Sequence, residues 1–414
     1  MNIGPALEFR LPNARAGQAY QQQLLPINAA GEAIVLLAVT FPPELDLRAD
    51  LASHSVSGVA LVANEYSVEV LYHLRSEDAA ACRMVRVPLL VTPDPKSLWK
   101  DLPSDRSAPF WKEDAVCAAV TGQQMQVIAA SKRGRSHAHV GSFRDDDYFI
   151  SHRPESDWVT AIVADGAGSA RFSREGARLV CEAAGAYLEE ALEGAVGATI
   201  TDAAAAFHAE RSNEAATPAA QTARQSLHNA LYMALGHAAF HAVKTIAEAT
   251  RAHTELQATA KDFSTTALIA IARRFPFGTL CAAYWVGDGA VGIYRKDKGV
   301  TLLGTVDSGE FAGQTRFLDA GEVSAEALLR RTRFDLVDDM TALILMTDGV
   351  SDAWFNTEAS LERAAPWDAL WAELEQSVQP CERSGGAEQR LLAWLDFWSQ
   401  GNHDDRTIAI VTQE

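Results

Sequence analysis

The chain has 414 residues, 48% of them hydrophobic and 22% charged, and a net charge of −18. That balance describes a globular protein of about two or three domains, and it argues against a nucleic-acid backbone as partner, which would need concentrated Lys and Arg. Five scattered cysteines without a Cys-x-x-Cys pair speak against a disulfide framework or a zinc site. The apolar runs are shorter than the roughly 20 residues of a membrane helix, so no membrane partner is expected. The N-terminus lacks the basic-then-apolar pattern of a signal peptide, so a cytoplasmic location is expected.

Residues 1–92 read as a small all-β unit. Tyr66, Val68, Val70 and Tyr72 alternate with polar residues, as a half-buried strand requires. Residues 33–41 and 82–91 read as further strands, and short strands separated by Gly and Pro suggest a sandwich. Gly17-Gln-Ala-Tyr20, Phe41-Pro-Pro-Glu-Leu-Asp-Leu47 and Ser57-Gly58 resemble the immunoglobulin-like modules of bacterial proteins. A structural or partner-binding role would follow.

Residues 93–113 hold several prolines and no apolar period, and read as a stiff linker to a second domain over 114–414. That domain opens with a strand at 126–131, a polar stretch, and the acids Asp145, Asp146 and Asp147. A buried strand from Trp158 runs into Asp165-Gly166, and an amphipathic helix begins at Ser173. A polar, alanine-rich connection around Pro218 leads to a second long helix marked by Leu227, Leu231 and Leu235. Its His228, His237 and His241 read as surface residues of an amphipathic helix rather than metal ligands. Strands then return from Ser264 at antiparallel hairpin spacing. Residues 305–340, with Asp307, Glu310 and the basic run Arg330-Arg331-Thr-Arg333, read as a long loop. A strand at 341–347, two tryptophan-containing helices near 366–378 and 387–399, and a last strand at 407–411 complete the chain.

One Asp-Gly is an ordinary way to leave a strand. Here the pattern recurs at Asp165-Gly166, Asp288-Gly289 and Asp348-Gly349, and Asp404-Asp405 precedes the last strand. Acids placed at fixed strand ends suit hard ions such as Mg²⁺ and Mn²⁺, which prefer carboxylate, carbonyl and water oxygens.

In order, Arg144-Asp-Asp146-Asp147, Asp165-Gly-Ala-Gly168, Ser264-Thr-Thr-Ala267, Val286-Gly-Asp288, Thr347-Asp348-Gly-Val-Ser-Asp352 and Asp404-Asp-Arg-Thr407 resemble the successive motifs of the metal-dependent serine/threonine protein phosphatases, the type 2C or PPM family, in its bacterial form. The resemblance implies an α+β fold, a four-layer αββα sandwich of two antiparallel sheets flanked by helices. It implies hydrolysis of phosphoserine and phosphothreonine proteins by a hydroxide bridging two Mn²⁺ or Mg²⁺ ions, with a cognate kinase as functional counterpart. Asp165 would bridge both ions, with the Gly166 carbonyl on one of them. Asp348 and Asp404 would complete the ligand set of the first ion, Asp146 would serve the second ion with Asp147 in support, and Asp288 and Asp352 match the positions of a third ion in some members.

Two positions depart from the family pattern: Ala167 stands where animal members carry a histidine, and Ser142 where a phosphate-binding arginine is usual. Arg144, two residues from Asp146, is therefore expected to orient the phosphate, since alternate side chains of an extended segment share a face. His137 is expected to orient phosphate or protonate the leaving group. The same departures leave a second expectation, a catalytically weak PPM-like domain serving as a binding or regulatory module.

Overall fold

The computed structural model describes residues 7–27, 33–211, 217–304 and 315–413. It divides into two compact units, Met1–Lys100 and Asp101–Glu414.

The first unit contains β1 (Ala14–Arg15), β2 (Ala19–Gln23), β3 (Ile34–Thr40), β4 (Leu45–Asp50), β5 (Ser55–Ala60), β6 (Asn64–Leu74) and β7 (Arg83–Thr92). They form a four-stranded sheet in the order β1-β7-β6-β3 and a three-stranded sheet in the order β2-β5-β4. The alternation predicted for β6 is met: Tyr66, Val68, Val70 and Tyr72 enter one core with Leu45, Leu47 and Val56 of the other sheet.

The second unit contains β8 (Ala115–Thr121), β9 (Met125–Lys132), β10 (Asp147–Arg153), β11 (Trp158–Ala164), β12 (Ala267–Phe275), β13 (Gly278–Val286), β14 (Ala290–Arg295), β15 (Gly299–Leu302), β16 (Thr332–Val337), β17 (Ala342–Met346) and β18 (Arg406–Gln413). Its helices are α1 (Arg135–Val140), α2 (Ser173–Glu193), α3 (Ala195–Arg211), α4 (Pro218–Ala252), α5 (Ala325–Arg331), α6 (Asp348–Trp354), α7 (Glu358–Leu361), α8 (Ala364–Ser377) and α9 (Ala387–Trp394). Two antiparallel sheets run β10-β11-β12-β13-β16 and β15-β14-β17-β18-β9-β8.

Strand composition explains the layering. Along β11, Trp158, Ile162 and Ala164 join the core shared with α2 and α4, while Val159, Ala161 and Val163 enter the core between the sheets. Both faces are covered, so the strand reads as a continuous apolar run rather than an alternating one. On the second sheet, Leu343 and Leu345 of β17 face the inter-sheet core, and Ile344 and Met346 face α8 and α9. The result is the α+β, four-layer αββα sandwich.

Three segments differ from the sequence reading. The alanine-rich connection before Pro218 contains α3, because alanine is the strongest helix former and Ala195–Arg211 holds no proline. Within the expected long loop, residues 305–314, with Asp307 and Glu310, lie outside the described residues; the remainder includes α5 and β16, which pairs with β13. From Asp101 onward the proline-containing stretch is tied to the second unit: Leu102 N donates to Ala138 O at 2.9 Å, and Arg133 reaches Asp101 at 2.9 Å. Among the described residues no helix is long and apolar enough to cross a membrane.

Candidate metal centre

Antiparallel register gathers the acids. Ala164, at the end of β11, pairs with Asp147 at the start of β10, and Val286, at the end of β13, pairs with Ala267 at the start of β12. In the other sheet Met346, the last residue of β17, pairs with Ile408 near the start of β18 and with Ala290 at the start of β14. Asp146, Asp165, Asp288, Asp348 and Asp404 therefore emerge from strand ends that register brings together.

Carboxylate oxygens of Asp165, Asp288 and Asp348 lie within 4.8 Å of one another. Thr265 and Thr266 fix the first of these. Thr265 Oγ1 and Thr266 N both donate to Asp165 O at 2.8 Å, while Asp165 N donates to Thr266 Oγ1 at 2.8 Å. Gly166 is required there, since a Cβ would lie 2.7 Å from Asp145 O. Asp348 opens α6 directly after β17, and Gly349 allows that turn to close on Asp405, whose carbonyl would be 1.8 Å from a Cβ.

The cluster is electrostatically incomplete. Oδ1 of Asp288 and Oδ1 of Asp348 are buried without a hydrogen-bond partner, although Thr315 donates to the other oxygen of Asp288. Burial, then the charges of Asp288 and Asp404, push the Asp348 carboxyl up to about 7. Burial followed by Asp146, Asp348, Asp404 and Asp288 raises Asp165 well above the usual carboxylate range. Asp146, nearly inaccessible, is raised by burial and by Asp405, Asp404 and Asp348, although Thr347 Oγ1 donates to its Oδ2 at 2.9 Å. Asp404 and Asp352 are raised as well, by burial first and then by Asp405 and by Asp288 respectively. Buried like charges and unpartnered carboxylate oxygens are the environment a cation relieves, and an all-oxygen donor set fits Mg²⁺ or Mn²⁺.

Behind this cluster lies a compensated layer. Asp147, placed with the ligands by sequence, instead meets Lys112 Nζ at 2.9 Å and Arg144 at 3.8 Å. Burial opposes its charge, but Lys112 and Arg144 still hold its carboxyl below the ordinary value. Lys112 also donates to the Asp146 carbonyl at 2.5 Å. Arg144 does not offer its guanidinium to a phosphate. It is 2% exposed and donates to Glu113 O at 2.9 Å, Ser131 Oγ at 2.7 Å and Asp146 O at 2.6 Å. Residues 142–146 form an irregular loop, so the alternation that would aim Arg144 with Asp146 does not apply.

His137 does stand beside the acids, with Nε2 3.5 Å from Asp404 and Nδ1 3.2 Å from Asp405 and 2.7 Å from Phe143 O. Burial alone would lower its pKa; the hydrogen bond and charge of Asp405, with Asp145 and Asp404, outweigh that and push it up to about 10. Asp405 is the residue that sequence reasoning left without a role. It accepts from Gly134 N at 2.6 Å and Asp145 N at 2.5 Å, tying the loop before β10 to the start of β18. Its proximity to Asp404 in sequence was the available signal. Lys112 had none, lying in a stretch read as linker. His228, His237 and His241 stand apart from the acids, His228 against Thr332 O and the other two against Tyr187.

A family model described as protein phosphatase 2C matches residues 133–396. The chain belongs to the protein phosphatase 2C family. No curated protein matches its sequence. Solved structures that align with this phosphatase 2C chain include the serine-threonine phosphatase 2C of Toxoplasma gondii, at 14% identity over 72% of this chain and 99% of that one, with a TM-score of 0.44. RsbX in complex with magnesium aligns at 12% identity over 72% and 100%, with a TM-score of 0.36. The catalytic domain of the serine threonine protein phosphatase PstP, in complex with 2 manganese ions, aligns at 16% over 70% and 98%, with a TM-score of 0.38.

Proposed function

We propose that the protein is a divalent-metal-dependent phosphatase acting on phosphoserine and phosphothreonine in proteins. The observation that carries this reading is the convergence of Asp165, Asp288 and Asp348, with one oxygen each of Asp288 and Asp348 buried and unpartnered. Asp165, the Gly166 carbonyl, Asp348, Asp404 and Asp146 would hold two Mn²⁺ or Mg²⁺ ions, and Asp288 with Asp352 a third. Bound there, such ions supply Lewis acidity toward the phosphoryl oxygens and the attacking water. The chain's own residues hold the carboxylates in place: Thr265 and Thr266 fix the Asp165 backbone, Thr347 orients Asp146, and Lys112 and Arg144 hold the Asp146 carbonyl. His137, beside Asp404, is assigned to proton donation toward the leaving alkoxide. Asp147 and Arg144 are assigned positioning roles.

This activity pairs the protein with a kinase that phosphorylates its substrates, inside the cell. Catalysis is assigned to the part after residue 100 and partner binding to the N-terminal sandwich. A second reading, a PPM-like binding module with weak turnover, is favoured by one observation: Arg144 is committed inward, and Ser142 occupies the usual arginine position. Turnover of an aryl phosphate and a phosphothreonine peptide, with Mn²⁺ and after chelation, separates the two readings. The enzyme reading expects activity only with metal and its loss in Asp165→Asn. Equal rates in native and Asp165→Asn protein would refute it.

A further inference from the structure

Apart from the acid cluster, a cavity of about 510 Å³ is lined by α4, the end of β15 and the start of β16. β15 and β16 are the outer strands of their respective sheets, so the cavity sits at the open side of the sandwich. Its charged lining is basic. Arg224 places its guanidinium carbon 5.0 Å from the centre of the Phe334 ring, and Arg333 lies 4.9 Å from the centre of Trp285. His228 stacks on the same Phe334 ring and bonds the Thr332 carbonyl through Nε2 at 3.1 Å. Gln221, Gln225 and Thr301 add neutral polar groups.

Among the described residues no carboxylate lines the cavity, and neither arginine has an ion-pair partner. The absence stands out in a chain with 54 acids and 36 basic residues. Stacking on aromatic faces fixes the plane of a guanidinium while leaving its N–H donors outward. Such donors match the oxygens of phosphate or carboxylate.

Thr332 pairs with Tyr284, four residues before Asp288. Gly287 and Asp288 lie past the end of β13, so at about 3.3 Å per strand residue the separation is up to about 13 Å, a span covered by about four residues of extended peptide.

Building on the phosphatase reading, we propose that this cavity binds a second oxyanion of the substrate, a phosphorylated or acidic side chain about four or more residues from the phosphate being removed. The protein would then prefer multiply phosphorylated or acidic segments over isolated phosphoresidues.

The test uses the full chain and its Arg224→Ala/Arg333→Ala variant, saturated with Mn²⁺. Phosphothreonine peptides carry a second phosphothreonine, Glu or Ala at about two or about five residues' distance. The native protein should favour the distant second phosphate over Ala by about tenfold in kcat/KM, with no gain at the short spacing. The variant should lose that gain while hydrolysing an aryl phosphate at the native rate. A gain shared by Glu assigns the cavity to acidic side chains generally, and a gain confined to phosphothreonine assigns it to phosphate. No gain in the native protein, or an equal gain in the variant, overturns the proposal. Calorimetric titration of the doubly phosphorylated peptide into chelator-treated protein reads the cavity without turnover. Binding lost in the variant supports the site even if neither protein hydrolyses phosphate, and equal binding by both refutes it.

Discussion

Asp147 and Asp348 lie at the same end of the sandwich, both largely removed from water, yet they stand in opposite surroundings. Asp147 meets Lys112 and Arg144 and is held below the ordinary carboxylate range. Asp348 has a buried oxygen without a partner and is pushed up to about 7 by burial and neighbouring acids. The difference separates structure from chemistry: the charge of Asp147 is already balanced by protein cations, whereas the crowded charge of Asp348 has no such counter-charge and is relieved by a bound cation. Sequence position does not distinguish them, since both follow the same acid-at-strand-end pattern.

The largest effects should come from the unpaired set. Asp165→Asn or Asp348→Asn should lower kcat/KM by about a thousandfold or more, while the melting temperature of the metal-free protein holds or rises, because each change removes one of several repelling charges. A metal-free variant that melts well below the native protein would mean that these acids serve the fold.

The paired layer should respond in the opposite way. Arg144→Ala removes a buried cationic donor from the Glu113 and Asp146 carbonyls, Ser131 and Asp147 and should cost about 3 kcal/mol of stability, read by denaturant unfolding. Lys112→Ala should be comparable and should also weaken Mn²⁺ binding, with Lys112→Arg restoring part of the loss. A native unfolding curve for Arg144→Ala together with a raised KM would return that residue to phosphate binding.

pH offers a smaller, graded test. The Asp348 carboxyl is raised in the folded state, so the metal-free fold binds more protons than the unfolded chain between the ordinary carboxylate range and about pH 7. Its stability should therefore fall as pH rises through that window. Mn²⁺ favours the ionised carboxylates, so the gap in melting temperature between loaded and chelated protein should widen from about pH 5 to about pH 8. A gap independent of pH would contradict the crowding of Asp348.

Much of this was legible in the sequence. β11 and β17 read as strands because both faces are buried and their apolar residues are uninterrupted, and the glycines after Asp165 and Asp348 marked tight exits from those strands. The resemblance put the acids in order, and the register of the sheets brings together Asp165, Asp288 and Asp348. Three features stayed hidden for physical reasons. α3 was masked by its polar and alanine-rich composition, which carries little amphipathic contrast. β16 was obscured by the basic run leading into it. The inward turn of Arg144 and the contacts of Lys112 depend on the path of irregular segments, 142–146 and 101–114, which no periodicity describes.

The most direct measurement is a calorimetric titration of chelator-treated native protein and its Asp348→Asn variant with Mn²⁺. The account predicts binding of two or more ions by the native protein, accompanied by proton release from the raised carboxyls near pH 6, and loss or strong weakening of at least one ion in the variant. No heat of Mn²⁺ binding in the native protein, or the same isotherm for both proteins, would contradict the claim that these acids form a metal centre.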